Sequence, residues 1–187
     1  KKSLDEEALK PTNALRIKEL GCLGFLGIMK IKPEASICEI GFRTPALLKY
    51  FLDCGAKNAI GYDVVQFNVM VAKELGYNVK HADIGEKSPD IDLAGIGLVM
   101  CYQVLEHVTD PLKAISNIFN KMDSGCYFHV EIPIEPGEPR IEWGHLFPFH
   151  PKDLEKMCKT AGFKIIYGSS KVWKGGPKIR RLLCVKP

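Results

Sequence analysis

Leu98-Val-Met-Cys-Tyr-Gln-Val-Leu-Glu-His-Val-Thr-Asp-Pro111 is the stretch whose reading decides the fold. An apolar run breaks off into polar residues at Gln103, and a helix start follows, with Pro111 suited to a first helical turn. Upstream, two other strand-like runs end in acids, Asp63 and Asp83. Three successive parallel strands therefore each present a polar group at the carboxyl end. In an open α/β sheet that edge is where ligands bind.

Working outward, strand-like and helix-like segments alternate from about residue 36. Strands are expected at Ser36–Ile40, Ala59–Asp63, Tyr77–His81, Ile96–Tyr102 and Tyr127–Ile132. Helices are expected at Pro45–Cys54, Gln66–Leu75, Asp110–Met122 and Pro151–Thr160, with Gly76 and Gly162 as stops. This alternation implies parallel βαβ units. Phe163–Tyr167 and Ile179–Val185 add two strands joined by Gly175-Gly-Pro177, which is turn material. The final strand should therefore run antiparallel to its neighbours. Residues 1–35 look helical, interrupted near Pro11, and form an N-terminal cap over the ligand edge; residues 36–187 form the α/β domain. Pro133–His150 reads as a long Pro-rich loop, a length that often carries function.

Composition narrows the class. The chain has 187 residues, 46% hydrophobic and 26% charged, the mix of one globular domain. The formal net charge of +4 comes with no dense basic run, which argues against nucleic acid as the main partner. No apolar stretch approaches the ~20 residues of a membrane-spanning helix. The seven cysteines are odd in number and scattered, with no Cys-x-x-Cys, so a reducing cytoplasm is the expected setting.

Three constellations carry chemistry. In Glu39-Ile-Gly-Phe-Arg-Thr-Pro45, Thr44 reads as a helix N-cap and Pro45 as the first helical residue. Gly41 lets backbone approach a ligand closely, and the following helix start offers free N–H groups. Asp63 stands some twenty residues on, where an acid accepts bonds from a ribose diol, or else caps the next helix. Asp83 could accept a bond from an exocyclic amine with Ile84 packing on a base, or else form a turn.

Glu39-x-Gly41, Asp63, Asp83 and above all Val104-Leu-Glu-His-Val-x-Asp-Pro111 resemble the class I S-adenosylmethionine-dependent methyltransferases. Gly144-His-Leu-Phe147 and Leu154-x-x-x-Cys-x-x-Ala-Gly-Phe163 are similar to the same family's tail, nearest the branch of ubiquinone-pathway and sugar-modifying enzymes. The resemblance implies a Rossmann-like, doubly wound, seven-stranded α/β sheet with helices on both faces and the last strand antiparallel. It implies that Glu39 and Gly41 line the methionine part of S-adenosylmethionine, and that Asp63 holds the ribose. It places Asp83 on the adenine amine, with Val64 and Ile84 in the same site, and Cys101, Tyr102 and Gln103 beside the sulfonium end. The chain departs from the family's Glu-x-Gly-x-Gly-x-Gly: Arg43 and Pro45 replace the second and third glycines. Arg43 adds bulk there, or a cation for the cofactor's carboxylate.

On the acceptor side, His107 and His145 are the candidate bases. Trp143, Phe147 and Phe149 would line a small-molecule pocket or plug the loop onto the core, while His150 starts the next helix. Some relatives resemble this chain in using Glu-x-x-Glu-His here for a divalent metal. Gln103 takes the place of the first acid, and although Glu106, His107 and His145 make a valid ligand set, no metal site is assigned. The reading is methyl transfer to oxygen or nitrogen of a small-molecule acceptor. Its rivals are a non-catalytic binding module with this fold and a metal-assisted RNA 2′-O-methyltransferase.

Overall fold

Ile96–Tyr102 is the central strand of a seven-stranded sheet. Five of its seven residues are consecutive buried side chains, the pattern of a strand covered on both faces. The computed structural model describes residues 10–32, 34–135, 137, 140–172 and 178–187. In chain order the elements are α1 (Pro11–Phe25), β1 (Ser36–Ile40), α2 (Ala46–Asp53), β2 (Ala59–Asp63), α3 (Gln66–Glu74), β3 (Val79–His81), β4 (Ile96–Tyr102), α4 (Pro111–Lys121), β5 (Tyr127–Ile134), α5 (Pro151–Ala161), β6 (Lys164–Val172) and β7 (Lys178–Val185). Short 3-10 turns follow β4 at Leu105–His107 and β5 at Ile141–Trp143.

The strand order is β3-β2-β1-β4-β5-β7-β6. The first five pair in parallel, and β7 runs antiparallel between β5 and β6. This is the doubly wound sheet with a reversed last strand. Its order reverses between β1 and β4, and a ligand crevice opens at that switch point. The Gly175-Gly-Pro177 connection lies outside the described residues. No helix among the described residues is long and apolar enough to cross a membrane.

Strand alternation sorts the core into two layers. Ile37, Leu98, Met100, Tyr102 and Leu183 face α1, α2 and α3, meeting Leu20, Leu23, Leu47, Leu48, Val69 and Ala72. Cys38, Ile40, Val99, Cys101, Val130 and Leu182 face α4 and α5, meeting Ile115, Ile118 and Leu154.

Several boundaries differ from the sequence expectation. Pro45 is the N-cap of α2 rather than its first residue, and no side chain caps that helix, so Thr44 does not fill the expected role. The third strand starts at Val79, leaving Tyr77 outside it. The fifth runs on to Ile134, taking two residues from the expected loop. Pro133 is tolerated because pairing with β4 stops at Tyr102↔Glu131. Gln103 N–H bonds the Glu131 carbonyl, so Pro133, two residues on, turns its missing N–H past the end of β4.

The face under α1 holds a buried polar row. Glu131 pairs across the sheet with Tyr102 on one side and Arg181 on the other. Its carboxylate accepts from Arg181 Nε at 2.8 Å and from Arg16 of α1 at 2.5 Å. Arg181 also donates to Glu19 of α1 at 2.7 Å. Burial alone would raise Glu131, but the Arg16 and Arg181 guanidinium groups outweigh it and hold the carboxyl below its ordinary value. Glu19 is depressed likewise: burial opposes, while His129, Lys171, Arg181 and Ser169 favour its charged form. Burial lowers the His129 pKa against the pull of Glu19, and its Nδ1 shares a hydrogen bond of 2.7 Å with the Tyr102 hydroxyl.

Removing one partner of a buried pair strands the other. Arg181→Met should therefore cost about 3–5 kcal/mol in urea denaturation at pH 7. Because both acids are depressed in the folded state, their contribution is present above the ordinary carboxylate range and is lost as pH falls through and below it. The wild type should lose that stability on acidification, and Arg181→Met should lose less.

Candidate cofactor and active site

The sheet's carboxyl edge is shaped by residues with positive φ. Gly41, directly after β1, has φ +72°, and a Cβ there would collide with the Val104 side chain. Arg43 has φ +48°, the left-handed conformation that glycine adopts freely and an L-residue adopts at a cost. The second glycine of the motif is thus replaced in sequence, yet the backbone keeps a glycine-like bend. Gln103, at the end of β4, is the other non-glycine residue with positive φ among those described, at +57°.

Asp63 holds this turn. Its Oδ2 accepts from Arg43 N–H at 2.8 Å; its Oδ1 accepts from Val65 N–H at 2.8 Å and from Asn68 Nδ2 at 3.3 Å. These bonds leave acceptor capacity on Oδ2. Asp83 accepts from Gly85 N–H at 2.8 Å through Oδ1, a turn bond that leaves its second oxygen for a ligand.

Two cavities open along the edge. The first, of ≈ 280 Å³, is lined by Asp63, Val64, Asp83, Ile84, Val104 and Val108 among others. The second, of ≈ 350 Å³, is lined by Asn13, Arg16, Glu39, Arg43, Tyr102 and Gln103 among others. Both share Gly41 and His107. Cys101, expected beside the cofactor, lines neither cavity. Alternation turns it to the α4–α5 face, opposite to Tyr102, where burial pushes its thiol far above its ordinary value. Asn13 and Arg16 were not expected. Their spacing of three on one helix face is the sequence signal that was there to find.

Glu39 is buried and one of its carboxylate oxygens has no partner. Burial pushes its pKa up to about 8, with the Arg16 charge opposing and the Asp63 charge adding.

His107 lines both cavities, and His145 packs against it. His107 is exposed, and its Nδ1 donates to the Gly144 carbonyl at 2.9 Å. That bond fixes the proton on Nδ1 and leaves Nε2 as an acceptor. His145 is buried, bonds Glu135 through Nδ1 at 2.7 Å, and meets His107 edge-on with ring centroids 5.0 Å apart. Glu135 is a partner the sequence did not reveal. His145 lines neither cavity.

Glu106 is fully buried and neither carboxylate oxygen has a partner. One donor atom each from Glu106, His107 and His145 lie within 4.8 Å of one another. Two imidazoles with their Nδ1 atoms engaged elsewhere and an orphaned carboxylate fit a divalent cation. Of the loop aromatics, Phe149 is buried and Phe147 packs on the core, so both plug the loop down. Trp143 is 55% exposed, with the Arg140 guanidinium 4.5 Å over its ring. His150 N–H donates to Asp153 at the start of α5.

A family model described as a methyltransferase domain matches residues 16–167, beginning inside α1. The chain belongs to this family. The domain is of the class I, S-adenosylmethionine-dependent kind. It is 28% identical over 122 residues to a Mycolicibacterium smegmatis protein named a probable S-adenosylmethionine-dependent methyltransferase. That match covers 59% of this chain and 45% of the relative, so the chain spans less than half of the relative's length. Among solved structures, an S-adenosylmethionine-dependent methyltransferase from Mesorhizobium loti superposes with TM-score 0.69 at 13% identity, over 90% of this chain and 97% of that one. The magnesium protoporphyrin IX methyltransferase of Synechocystis PCC 6803, solved with bound S-adenosylmethionine, gives 0.67 at 16% identity, over 91% and 77%. These two likenesses show the fold alone.

Two outcomes follow from this geometry. Arg43→Gly should relieve the bend and raise unfolding free energy by about 1 kcal/mol, read by urea denaturation. Glu39 is raised in the folded state, so it binds a proton there that the unfolded chain has released. Its contribution is full below the ordinary carboxylate range and is lost as pH rises to about 8. Glu39→Gln should flatten that loss between pH 5 and 8; an unchanged profile would show that Glu39 is ionised in the folded protein.

Proposed function

We propose that the domain transfers a methyl group from S-adenosylmethionine to an oxygen or nitrogen of a small-molecule acceptor. The observation that carries this reading is the meeting of two cavities at Gly41 and His107. The first suits a nucleoside: Asp63 would accept from the ribose, Asp83 from the adenine amine, with Val64 and Ile84 beside the base. The second suits an amino-acid tail: Glu39 would meet its amine and Arg43 its carboxylate, with Tyr102 and Gln103 near the sulfur end.

When bound, the cofactor supplies an electrophilic methyl on a sulfonium. The chain's part is alignment of the acceptor's lone pair with that methyl at near-attack distance. His107 Nε2 would take the proton that an acceptor hydroxyl or amine gives up, and His145, held by Glu135, would steady the His107 ring. Seven unpaired thiols accord with a reducing, cytoplasmic setting.

A second reading keeps the chemistry and adds a divalent cation, favoured by the orphaned Glu106 carboxylate beside His107 and His145. In that case a chelator abolishes turnover and Mg²⁺ or Mn²⁺ restores it.

Calorimetric titration with S-adenosylhomocysteine tests the cofactor assignment. The wild type should bind in the micromolar range, and Asp63→Ala should weaken binding by roughly 10–100-fold, the worth of hydrogen bonds to a charged group. Unchanged affinity would refute the ribose assignment. At saturating cofactor, His107→Ala should slow turnover by about 10²–10⁴, the usual contribution of a general base.

A further inference from the structure

A third cavity, of ≈ 230 Å³, lies away from the cofactor edge. It sits between α1, α2 and the segment leading into β1, near the starts of β1 and β4. None of its lining residues is shared with the other two cavities. Its walls are apolar: Ile17, Leu20, Met29, Ile31, Phe51 and Leu98. Leu20, Met29 and Leu98 are buried and make the floor. The rim is different. Gly21, Lys32 and Cys54 are exposed there.

Two features of the rim favour a ligand. Gly21 stands on α1, where glycine weakens a helix. A Cβ built on it would meet nothing within 4 Å, so the missing side chain keeps space open at the cavity. Lys32 makes no ion pair among the described residues, although it borders an apolar hollow.

We infer that this cavity is a second ligand site, which takes the aliphatic tail of a small carboxylic acid and pairs the acid's head with Lys32. An apolar cavity of about 150 Å³ stays dry and takes up benzene. The present one, at ≈ 230 Å³, has room for a chain of roughly eight carbons by the same measure. An occupant restores the contacts that an open apolar hollow forfeits. A carboxylate head at the rim stays partly hydrated and meets the Lys32 ammonium, which has no ion pair among the described residues.

The test is calorimetric titration of the chain with octanoate, and with octylamine as the control of opposite charge. Octanoate should bind and octylamine should bind at least tenfold more weakly. Bound octanoate should not displace S-adenosylhomocysteine. Gly21→Leu should raise the melting temperature, because it fills the space and improves the helix, and should abolish octanoate binding. Lys32→Glu should weaken octanoate by about tenfold and leave the fold intact. The inference fails if the folded wild type takes up no octanoate at millimolar concentration. It also fails if Gly21→Leu binds octanoate as the wild type does, or if octanoate and octylamine bind alike.

Discussion

Glu131 is fully buried in the middle of a sheet, and a lone carboxylate could not stay charged there. It stays charged because two guanidinium groups reach it, Arg181 from the neighbouring strand and Arg16 from the N-terminal helix. That constraint does more than hold two strands together. It fixes α1 against the sheet, since Arg181 also takes Glu19 of the same helix. With α1 fixed, Asn13 and Arg16 become one wall of the second cavity. The polar network and the candidate site are therefore one construction, and a change that loosens the first reshapes the second.

The turn after β1 shows a related economy. Glycine is required at Gly41 because Val104 occupies the space of a side chain. At Arg43 the left-handed bend persists without glycine, held by the bond from its N–H to Asp63. Asp63 thus links two jobs: it shapes the loop and it lines the first cavity. Backbone strain that surrounding bonds over-determine is found at functional sites, and both strained non-glycine residues described, Arg43 and Gln103, line the second cavity.

The layered fold was legible because it is written in periodicity. Leu98–Tyr102 reads as a strand buried on both faces, and Asp63 and Asp83 mark strand ends whatever packs around them. The Pro111 and Gly162 signals bracket helices through local backbone chemistry alone. What escaped the reading depends on distant partners. His129 and Glu131 alternate with Phe128, Val130 and Ile132, a pattern equally suited to a solvent-facing side; only the position of α1, over a hundred residues earlier, decides that they are buried. Cys101 adjoins Tyr102 in sequence but faces the opposite layer, so adjacency in the motif did not mean adjacency in the cavity. The pairing of Glu135 with His145 crosses a loop whose course no local signal dictates.

The most direct test of the account is a crystal structure of the protein with S-adenosylhomocysteine. The account predicts the nucleoside between Asp63 and Asp83, the amino-acid end beside Glu39 and Arg43, and the sulfur near the junction at Gly41 and His107. A nucleoside bound elsewhere, or a second cavity left to solvent while the first is filled, would contradict it.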